Sequence, residues 1–441
     1  MLITGVSKKL LFIVLLAFLL RLISLNQSLW LDEAISANVA RNYSYLGIIK
    51  NFSPSDFHPP LYYLVLKTWT SVFGFSEISL RFPSVLFSLL TGYFVYLIGA
   101  KLKNKNIGLW SATFFLFNPL IIYYSQEARM YSLVTLFLTI ASYSYLTNRS
   151  KLFCLFSFLS FLTFYGSIFF IATILIWQFM THGFRKTLPF VWGALAAIFV
   201  VFPLLKYQYL GSKSAVASVL NWSFVLGKAN LKNLLMVPLK FALGRISFYP
   251  KTVYYLVSGL WSLFIFVTAL FSASKFLSFI FFFPLIIAFL VSFSSPMLQY
   301  FRYLYLIPVL SLLLSQFPSK TLKIISVSGF LALSLIYLLL PQFHREDWKS
   351  LSGSLPPRST VYMVPSFSDP LVYYRSDLTV KDINSINSSD FISSITVLPY
   401  GFTIHGIDHK TKLSSLGFSQ SSESTYRELS KESWQPSPLS P

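Results

Sequence analysis

The stretch KKLLFIVLLAFLLRLISL at residues 8–25, followed by LWLDEA at 29–34, decides the fold class of this chain. The first stretch has a basic start and an apolar body, and about 20 apolar residues are enough to cross a bilayer. No cleavage site of small residues follows it, so we interpret it as an uncleaved signal anchor. The second stretch places two carboxylates directly beyond the membrane edge.

Apolar runs recur along the chain as far as residue 341. Soluble domains have about a quarter of charged residues, whereas this chain is 11% charged and 55% hydrophobic. We therefore predict an α-helical polytopic membrane protein with about eleven transmembrane helices. The further predicted spans are 80–100, 107–123, 130–146, two short ones within 152–181 that turn at Tyr165-Gly166-Ser167, 187–205, 252–272, 276–294, 303–317 and 324–341.

The charge distribution predicts how the chain is oriented. The formal net charge is +20, and bases such as Lys103, Arg149 and Lys186 cluster in alternate short loops, which is the positive-inside pattern of the cytoplasmic side. This pattern indicates a membrane partner rather than nucleic acid. It predicts a cell-membrane protein with a cytoplasmic N-terminus and an extracytoplasmic C-terminus. The acids before residue 341 all fall in opposite-side loops: Asp32, Glu33, Asp56, Glu77 and Glu127.

Two regions follow from the change in composition near residue 341. Residues 1–341 form the predicted transmembrane catalytic domain, with long extracytoplasmic loops at 26–79 and 206–251. The aromatic segment 60–75 is predicted to be an interfacial helix. Residues 342–441 are predicted to form a small extracytoplasmic α/β domain, with strands near 360–364 and 394–398 and a disordered tail from 433 to 441. Cys154 is the only cysteine, which excludes an intrachain disulfide and a thiolate metal cluster.

The candidate catalytic groups lie in the first long loop. Asp32 and Glu33 are costly at a membrane edge unless they are hydrated, paired or used. One of them could take a proton from an acceptor hydroxyl or amine, although acids also favour the first turn of an ordinary helix. His58, in HPPLYY at 58–63, is held in extended backbone by the prolines that follow. It could position a carboxylate or contact a phosphate.

Three arginines are expected at headgroup depth on the same face. They are Arg81 in RFPSVL at 81–86, Arg129 in NPLIIYYSQEARMYSL at 118–133, and Arg302 in FRYLYLIP at 301–308. A guanidinium suits a phosphate because it donates in a planar fork. Arginines at a membrane edge are also common without any ligand, because they extend towards water. Together the three predict a site for an anionic lipid headgroup.

These motifs resemble the lipid-phosphate-dependent glycosyltransferases of the GT-C superfamily, in the branch of protein O-mannosyltransferases and aminoarabinose transferases. The resemblance is specific over residues 1–135 and looser from 136 to 340. It implies inverting transfer of a sugar from a polyprenyl-phosphate donor, with Asp32 as catalytic base and Glu33 beside it. It further implies that the donor phosphate contacts Arg81, Arg129, Arg302 and Tyr303, and that the acceptor or positioning residues are His58, Gln126, Glu127 and Tyr131.

Several alternatives stay open at this level. The acceptor is expected to be a lipid or a glycan and less readily a protein, because no MIR domain is recognisable. The sequence shows no required cofactor, and a divalent metal with Glu127 and His58 as candidate ligands is open. A transporter of polyprenyl-linked glycans is disfavoured because the spans are nearly free of acids. A catalytically inactive relative that only binds polyprenyl lipids is a second alternative that the sequence does not exclude.

Overall fold

The structure, a computed structural model, describes residues 7–271, 274–386 and 394–437 and is mainly helical up to residue 353. The α-helices up to residue 125 are α1 (Lys8–Leu22), α2 (Leu31–Asn42), α3 (Tyr45–Gly47), α4 (Leu61–Phe73), α5 (Glu77–Leu102), α6 (Lys105–Leu116) and α7 (Pro119–Ser125). Those that follow are α8 (Tyr131–Leu146), α9 (Ser150–Thr163), α10 (Ser167–His182), α11 (Phe184–Ser218), α12 (Trp222–Leu226), α13 (Leu231–Leu243), α14 (Lys251–Leu270), α15 (Lys275–Val291), α16 (Ile307–Ser315) and α17 (Lys320–Leu339).

Within the described residues, four helices are long and apolar enough to cross a membrane: α5, α11, α14 and α17. The helices α6 and α7 make a fifth if the bent pair counts as one span. Further predicted spans correspond to shorter apolar helices, among them α8, α9, α10 and α15. The first predicted span, 8–25, contains the 15-residue helix α1. The break predicted within 152–181 is confirmed, because α9 ends at Thr163 and α10 begins at Ser167. The total of about eleven spans stays a prediction.

The predicted span 107–123 is bent rather than straight. Its two halves, α6 and α7, meet at an angle of 62°. The break falls at Asn118-Pro119, where the Asn118 side chain accepts hydrogen bonds from the backbone N–H groups of Leu120 (3.0 Å) and Ile121 (3.2 Å). An asparagine cap followed by proline is a preferred way to begin a helix. The bend brings residues 126–130 against the start of α2.

The second long loop begins later than predicted. The helix α11 continues through residue 205, the expected end of its span, as far as Ser218. The sequence after 205 (KYQYLGSKSAVAS) has no proline and only one glycine, so nothing in it stops the helix. The predicted interfacial segment 60–75 is confirmed as a helix, α4, and it buries Tyr62, Tyr63 and Leu66 on one face.

A five-stranded sheet forms the small C-terminal domain. Its strands are β1 (Thr360–Met363), β2 (Thr379–Asp382), β3 (Ile395–Val397), β4 (Phe418–Tyr426) and β5 (Leu429–Pro436), in the order β2-β1-β3-β5-β4. The strand β1 is parallel to β2 and β3, and β5 is antiparallel to β3 and β4. The helices of this domain are α18 (Trp348–Gly353), α19 (Asp369–Tyr374), α20 (Phe402–His405) and α21 (His409–Ser415).

The prediction of a disordered tail from residue 433 is wrong for residues 433–436. These residues belong to β5, which pairs with both β3 and β4. Trp434 is buried in the core of the domain, and that burial outweighs the polar composition of its neighbours. Residues 438–441 lie outside the described residues.

The C-terminal domain packs directly on α2, the helix that carries Asp32 and Glu33. Asn38 donates to the Asp369 carboxylate of α19 over 2.8 Å, and the backbone N–H of Leu29 donates to the Tyr374 hydroxyl over 2.9 Å. Leu31 packs against the apolar core of the domain. The domain therefore forms a wall of whatever space α2 borders.

Candidate active site

Glu33 is part of a fully buried ion pair. Its side chain is 0% exposed, and its carboxylate accepts from Arg81 Nε (2.8 Å) and Nη2 (2.6 Å) in a bidentate arrangement. The same carboxylate accepts from the backbone N–H of Ala128 over 2.8 Å. These contacts tie the first turn of α2 to α5 and to the loop after α7. Glu33 is thus a structural anchor, and its carboxylate does not line the cavity beside Asp32.

Arg81 has no donor left for a lipid phosphate. Besides Glu33, its guanidinium donates to the backbone carbonyls of Leu25, Gln27 and Ser28 over 2.5–2.9 Å. The side chain is 1% exposed, and it does not line the large cavity described below. The structure therefore separates Arg81 from the other two candidate arginines. The N–H donors of the Arg81 guanidinium are all taken by the Glu33 carboxylate and the three carbonyls, so this side chain belongs to the interior.

Asp32 has surroundings opposite to those of its neighbour. Its side chain is 32% exposed, and its Oδ2 lies 3.6 Å from Nη2 of Arg129. Arg129 is buried and also donates to Ser36 Oγ over 3.3 Å. Consecutive residues of a helix project about 100° apart, so Glu33 faces the interior while Asp32 faces open space. Asp32 is the carboxylate of the pair that a substrate can reach.

A second acidic group stands beside the predicted His58. The Asp56 carboxylate lies 3.4 Å from His58 Nδ1 and accepts from the Tyr63 hydroxyl over 2.8 Å. Burial alone would raise the pKa of Asp56, but His58, Arg129 and Tyr63 together hold it below its ordinary value. Asp56 is therefore ionised at neutral pH. Sequence reasoning noted its charge without giving it a role, although its position two residues before His58 was a usable signal.

Asp32, Asp56, His58 and Arg129 all line one cavity of about 760 Å³. Its walls come from the helical bundle, including the part of α11 beyond residue 205, and from the C-terminal domain through Phe367 and His405. Most of the lining surface is apolar. A space with an apolar wall and a few convergent charged groups is typical of a ligand site. The structure also brings three predicted residues to this cavity: Arg302, Tyr303 and Tyr131.

Of the two arginines that line the cavity, Arg302 makes fewer hydrogen bonds to the protein than Arg129. Its one hydrogen bond among the described residues is a long one, 3.5 Å from Nη1 to the Pro296 carbonyl. The Tyr303 hydroxyl donates to the Met297 carbonyl over 3.0 Å, and the Tyr131 ring packs edge-on against Phe301. Arg302 is consequently available to an anion, whereas Tyr303 and Tyr131 shape the wall.

Gln126 and Glu127 lie outside the cavity lining. Gln126 donates to the carbonyls of Arg21 (3.0 Å) and Ile23 (2.6 Å), so it fastens α1 to the loop after α7. Glu127 is buried and accepts from Arg345 Nη2 over 2.8 Å. Burial raises the pKa of the Glu127 carboxyl, and Arg345 opposes this shift only in part. Both residues position the loop that carries Arg129.

The proposed metal ligands His58 and Glu127 have separate surroundings, His58 in the cavity and Glu127 in the pair with Arg345. Across residues 7–271, 274–386 and 394–437, no group of three or more His, Cys, Asp or Glu side chains is arranged to hold a metal ion. His58 and Glu127 therefore do not meet in a metal centre of that kind.

Comparisons with known proteins found a family match and similar solved structures. Residues 57–207 match the family model of dolichyl-phosphate-mannose-protein mannosyltransferases. The fold is similar to that of ArnT from Cupriavidus metallidurans in the apo state, with a TM-score of 0.52 at 11% identity over 96% of this chain and 97% of that one. The structural likeness, at 11% identity, shows the fold, and the family match covers residues 57–207 of the 441. The apolar helices of the chain, together with this fold, indicate a multi-pass membrane protein.

Two further solved structures are similar to the chain at lower TM-scores. ArnT of the same organism bound to undecaprenyl phosphate aligns with a TM-score of 0.49 and 10% identity, over 96% of this chain and 97% of that one. The oligosaccharyltransferase of Archaeoglobus fulgidus in the apo form aligns with a TM-score of 0.48 and 12% identity, over 88% of this chain and 69% of that one. No curated protein sequence matches the chain. The family match includes His58 and Arg129 and begins after Asp32.

Two residues near the site were not predicted from the sequence. Gln208 of α11 donates to the carbonyls of Ser53 (2.7 Å) and His58 (3.0 Å), and so holds the His58 loop against the cavity. Gln208 is a single polar residue just after an apolar run, which is only a weak sequence signal for holding a loop in place. Arg345 pairs with Glu127, which is 218 positions away in the chain, and such a pairing has no local signal.

Proposed function

We propose that this glycosyltransferase moves a sugar from a polyprenyl-phosphate donor to an extracytoplasmic acceptor with inversion, and that Asp32 is the general base. One observation carries the proposal. A partly exposed carboxylate, Asp32, lies 3.6 Å from a buried guanidinium, Arg129, in a large cavity that also contains Arg302. A base and cations for the leaving phosphate are the groups that such a transfer needs.

The chemistry proceeds in one displacement. The acceptor oxygen attacks the anomeric carbon as its proton passes to the Asp32 carboxylate. The bond between that carbon and the phosphate oxygen breaks on the opposite face, and the electron pair leaves with the polyprenyl phosphate. Because the phosphate leaves as an anion, no second carboxylic acid has to protonate it, unlike the hydrolysis of a glycosidic bond.

Arg129 and Arg302 are the proposed contacts of the donor phosphate. Both line the cavity, and Arg302 has a single long hydrogen bond among the described residues. Arg81, expected in this group from the sequence, is left out because Glu33 and three carbonyls occupy it. The description of the matching family names a dolichyl-phosphate sugar as donor, and the apolar wall suits the lipid chain of such a molecule.

The acceptor is proposed to enter beside Asp56 and His58, which line the cavity together with Asp32. The ionised Asp56 can accept hydrogen bonds from sugar or lipid hydroxyls, and Tyr63 and His58 orient it. A glycan or lipid acceptor agrees with this hydroxyl-binding chemistry. The cavity side of α2 is proposed to face away from the cytoplasm, in the cell membrane.

The experiment is transfer by the purified protein in liposomes, with a panel of labelled polyprenyl-phosphate sugars. Consumption of one donor with release of polyprenyl phosphate is the expected result. Movement of an intact donor between leaflets without release would instead identify a transporter. Binding of the lipid without consumption of any sugar, in the presence of a cell-envelope extract as acceptor, would identify an inactive lipid-binding relative.

A further inference from the structure

Three cations gather at the turn between α13 and α14, away from the cavity. Lys240 lies in the last turn of α13, Arg245 in the connecting turn, and Lys251 at the start of α14. Lys240 Nζ donates to the Tyr254 hydroxyl over 3.0 Å, and Lys251 Nζ lies 5.6 Å from the centroid of the same ring. None of the three lines the cavity. They are called here the turn cluster.

The positive charge of the turn cluster is not balanced by carboxylates. Among the described residues, none of its members forms an ion pair. Glu127, whose partner Arg345 shares the Tyr123 ring with Arg245, is already paired. Burying a cation without a counter-charge is strongly unfavourable. Lys240 is buried and Arg245 and Lys251 are half-buried, so together the three are suited to an anion that the chain itself does not provide.

Lys240 shows most clearly that these side chains are not simply extending into water. It is 7% exposed, and its hydrogen-bond partners, the Tyr254 hydroxyl and the Ile246 carbonyl, are neutral. Burial, with Arg245 and Lys251 close by, lowers the pKa of Lys240 to about 7. A nearby anion would reverse this shift and restore the charge.

Arg245 supplies a second sign of an incomplete site. Its guanidinium carbon lies 5.2 Å from the centroid of the Tyr123 ring, and it makes no hydrogen bond among the residues that the structure describes. The Tyr123 hydroxyl is buried and likewise has no partner there. A fork of unused donors beside an unpaired hydroxyl matches the acceptor oxygens of a phosphate.

The surroundings favour a lipid over a free ion. The cluster adjoins the first turn of α14, one of the helices able to span a membrane. The outer face of that helix is apolar and exposed at Leu256, Leu260 and Leu263, which are 61–62% exposed. Tyr249 beside the cluster is 81% exposed, and tyrosines favour the membrane interface. A headgroup bound at the cluster would have its acyl chains along this face.

From these contacts we infer that Lys240, Arg245 and Lys251 form a binding site for the phosphate of an anionic lipid headgroup, separate from the donor cavity. This inference does not depend on sugar transfer, so each can fail without the other. The proposed occupant is an anionic bulk phospholipid of the membrane.

The test is native mass spectrometry of the delipidated protein titrated with phosphatidylglycerol, with phosphatidylcholine as the comparison lipid. Arg245→Gln and Lys251→Gln should each weaken binding of phosphatidylglycerol about tenfold or more, as loss of one charge-assisted contact does. Lys232→Gln is the matched control, because Lys232 is exposed on the same helix, and it should leave binding unchanged. Lys240→Met is a third variant, used provided that its melting temperature equals that of the wild type.

Three outcomes would overturn the inference. The first is equal binding of phosphatidylglycerol by the wild type, by Arg245→Gln and by Lys251→Gln. The second is equal affinity for phosphatidylcholine, which would indicate a nonspecific lipid contact. The third is displacement of phosphatidylglycerol by inorganic phosphate at equal concentration, which would indicate a free-ion site rather than a lipid headgroup site.

Discussion

Asp32 and Glu33 are neighbours in sequence with different roles in the structure. Both lie in the first turn of α2, yet one carboxylate is 32% exposed in the cavity and the other is 0% exposed against Arg81. The pair LDEA alone suggested two candidate bases. The partner that separates them, Arg81, is 48 residues away in the chain, and no local pattern reveals which acid it selects.

Replacing Glu33 tests its structural role. In Glu33→Gln, Arg81 stays buried without a counter-charge, so we expect a loss of about 3–5 kcal/mol in the free energy of unfolding. Thermal unfolding in detergent measures it. Glu423→Gln, a change at an exposed acid on β4, is the control and should melt like the wild type. An unchanged melting temperature for Glu33→Gln would contradict the role of anchor.

Arg302 offers the cleaner test of the donor site. Arg302→Ala should weaken binding of the polyprenyl-phosphate sugar by about 1.5–3 kcal/mol, because a charge-assisted hydrogen bond to phosphate is lost. Arg129→Ala should have a similar effect but also leaves Asp32 without its nearest cation. Donor affinity is measured by titration of the purified protein in detergent.

Two variants serve as controls for the donor site. Arg302→Lys should restore part of the affinity if the contact is bidentate. Arg149→Ala, in a predicted cytoplasmic loop, should have no effect. Wild-type affinity in both Arg129→Ala and Arg302→Ala would remove the arginines from the donor site.

At the scale of elements, Arg345 links the C-terminal domain to the loop that carries Arg129. Its guanidinium pairs with Glu127 over 2.8 Å and lies 3.7 Å from the centroid of the Trp30 ring, at the start of α2. Arg345 therefore contacts the segments that precede both Asp32 and Arg129. It is a positioning residue, since it does not line the cavity.

A double-mutant cycle measures this link. Arg345→Gln and Glu127→Gln should each destabilise the protein by about 3–5 kcal/mol, because each leaves a buried partner unpaired. The double variant should lose less than the sum, with a coupling of about 0.5–3 kcal/mol. Lys349→Gln breaks the more exposed pair with Glu77 and should cost at most about 1 kcal/mol. Additive losses at Arg345 and Glu127 would show that the pair does not act as a unit.

The elements themselves were largely predictable. Runs of apolar residues gave the positions of the helices because spanning length and composition are local properties. The bend at Asn118-Pro119 was not predicted, although its capping signal is local, because the apolar run continues across it. The continuation of α11 to Ser218 was missed because a drop in hydropathy ends a span without ending a helix.

At the scale of the whole molecule, the cavity is formed where segments that are far apart in the chain come together. Its walls combine α2, the loop around His58, α11, residues 295–303 and the C-terminal domain. The sequence predicted which of these carry charge, and Asp32, His58, Arg129 and Arg302 do meet there. It did not predict that Gln126 and Glu127 face away, because their partners Arg21, Ile23 and Arg345 come from distant segments.

Cysteine labelling tests the predicted orientation in the membrane. In a Cys154→Ser background, cysteines at the exposed positions Ser55 and Ser294 should react with an impermeant reagent from one side. Cysteines at Lys103 and Lys186 should react from the other, because lysines of short loops concentrate on the cytoplasmic side. Labelling of positions 55 and 294 from different sides would mean that His58 and Arg302 cannot share one cavity.

The most direct measurement is single-turnover sugar transfer by Asp32→Asn, with the labelled polyprenyl-phosphate sugar at saturation. If Asp32 removes the acceptor proton, the rate should fall about 10²–10⁴-fold, or about 3–5.5 kcal/mol in barrier. The variant should still fold and bind the donor, since Asp32 is 32% exposed and the asparagine amide oxygen can still face Arg129. A folded, donor-bound Asp32→Asn protein that transfers sugar at the wild-type rate would contradict general-base catalysis by this residue.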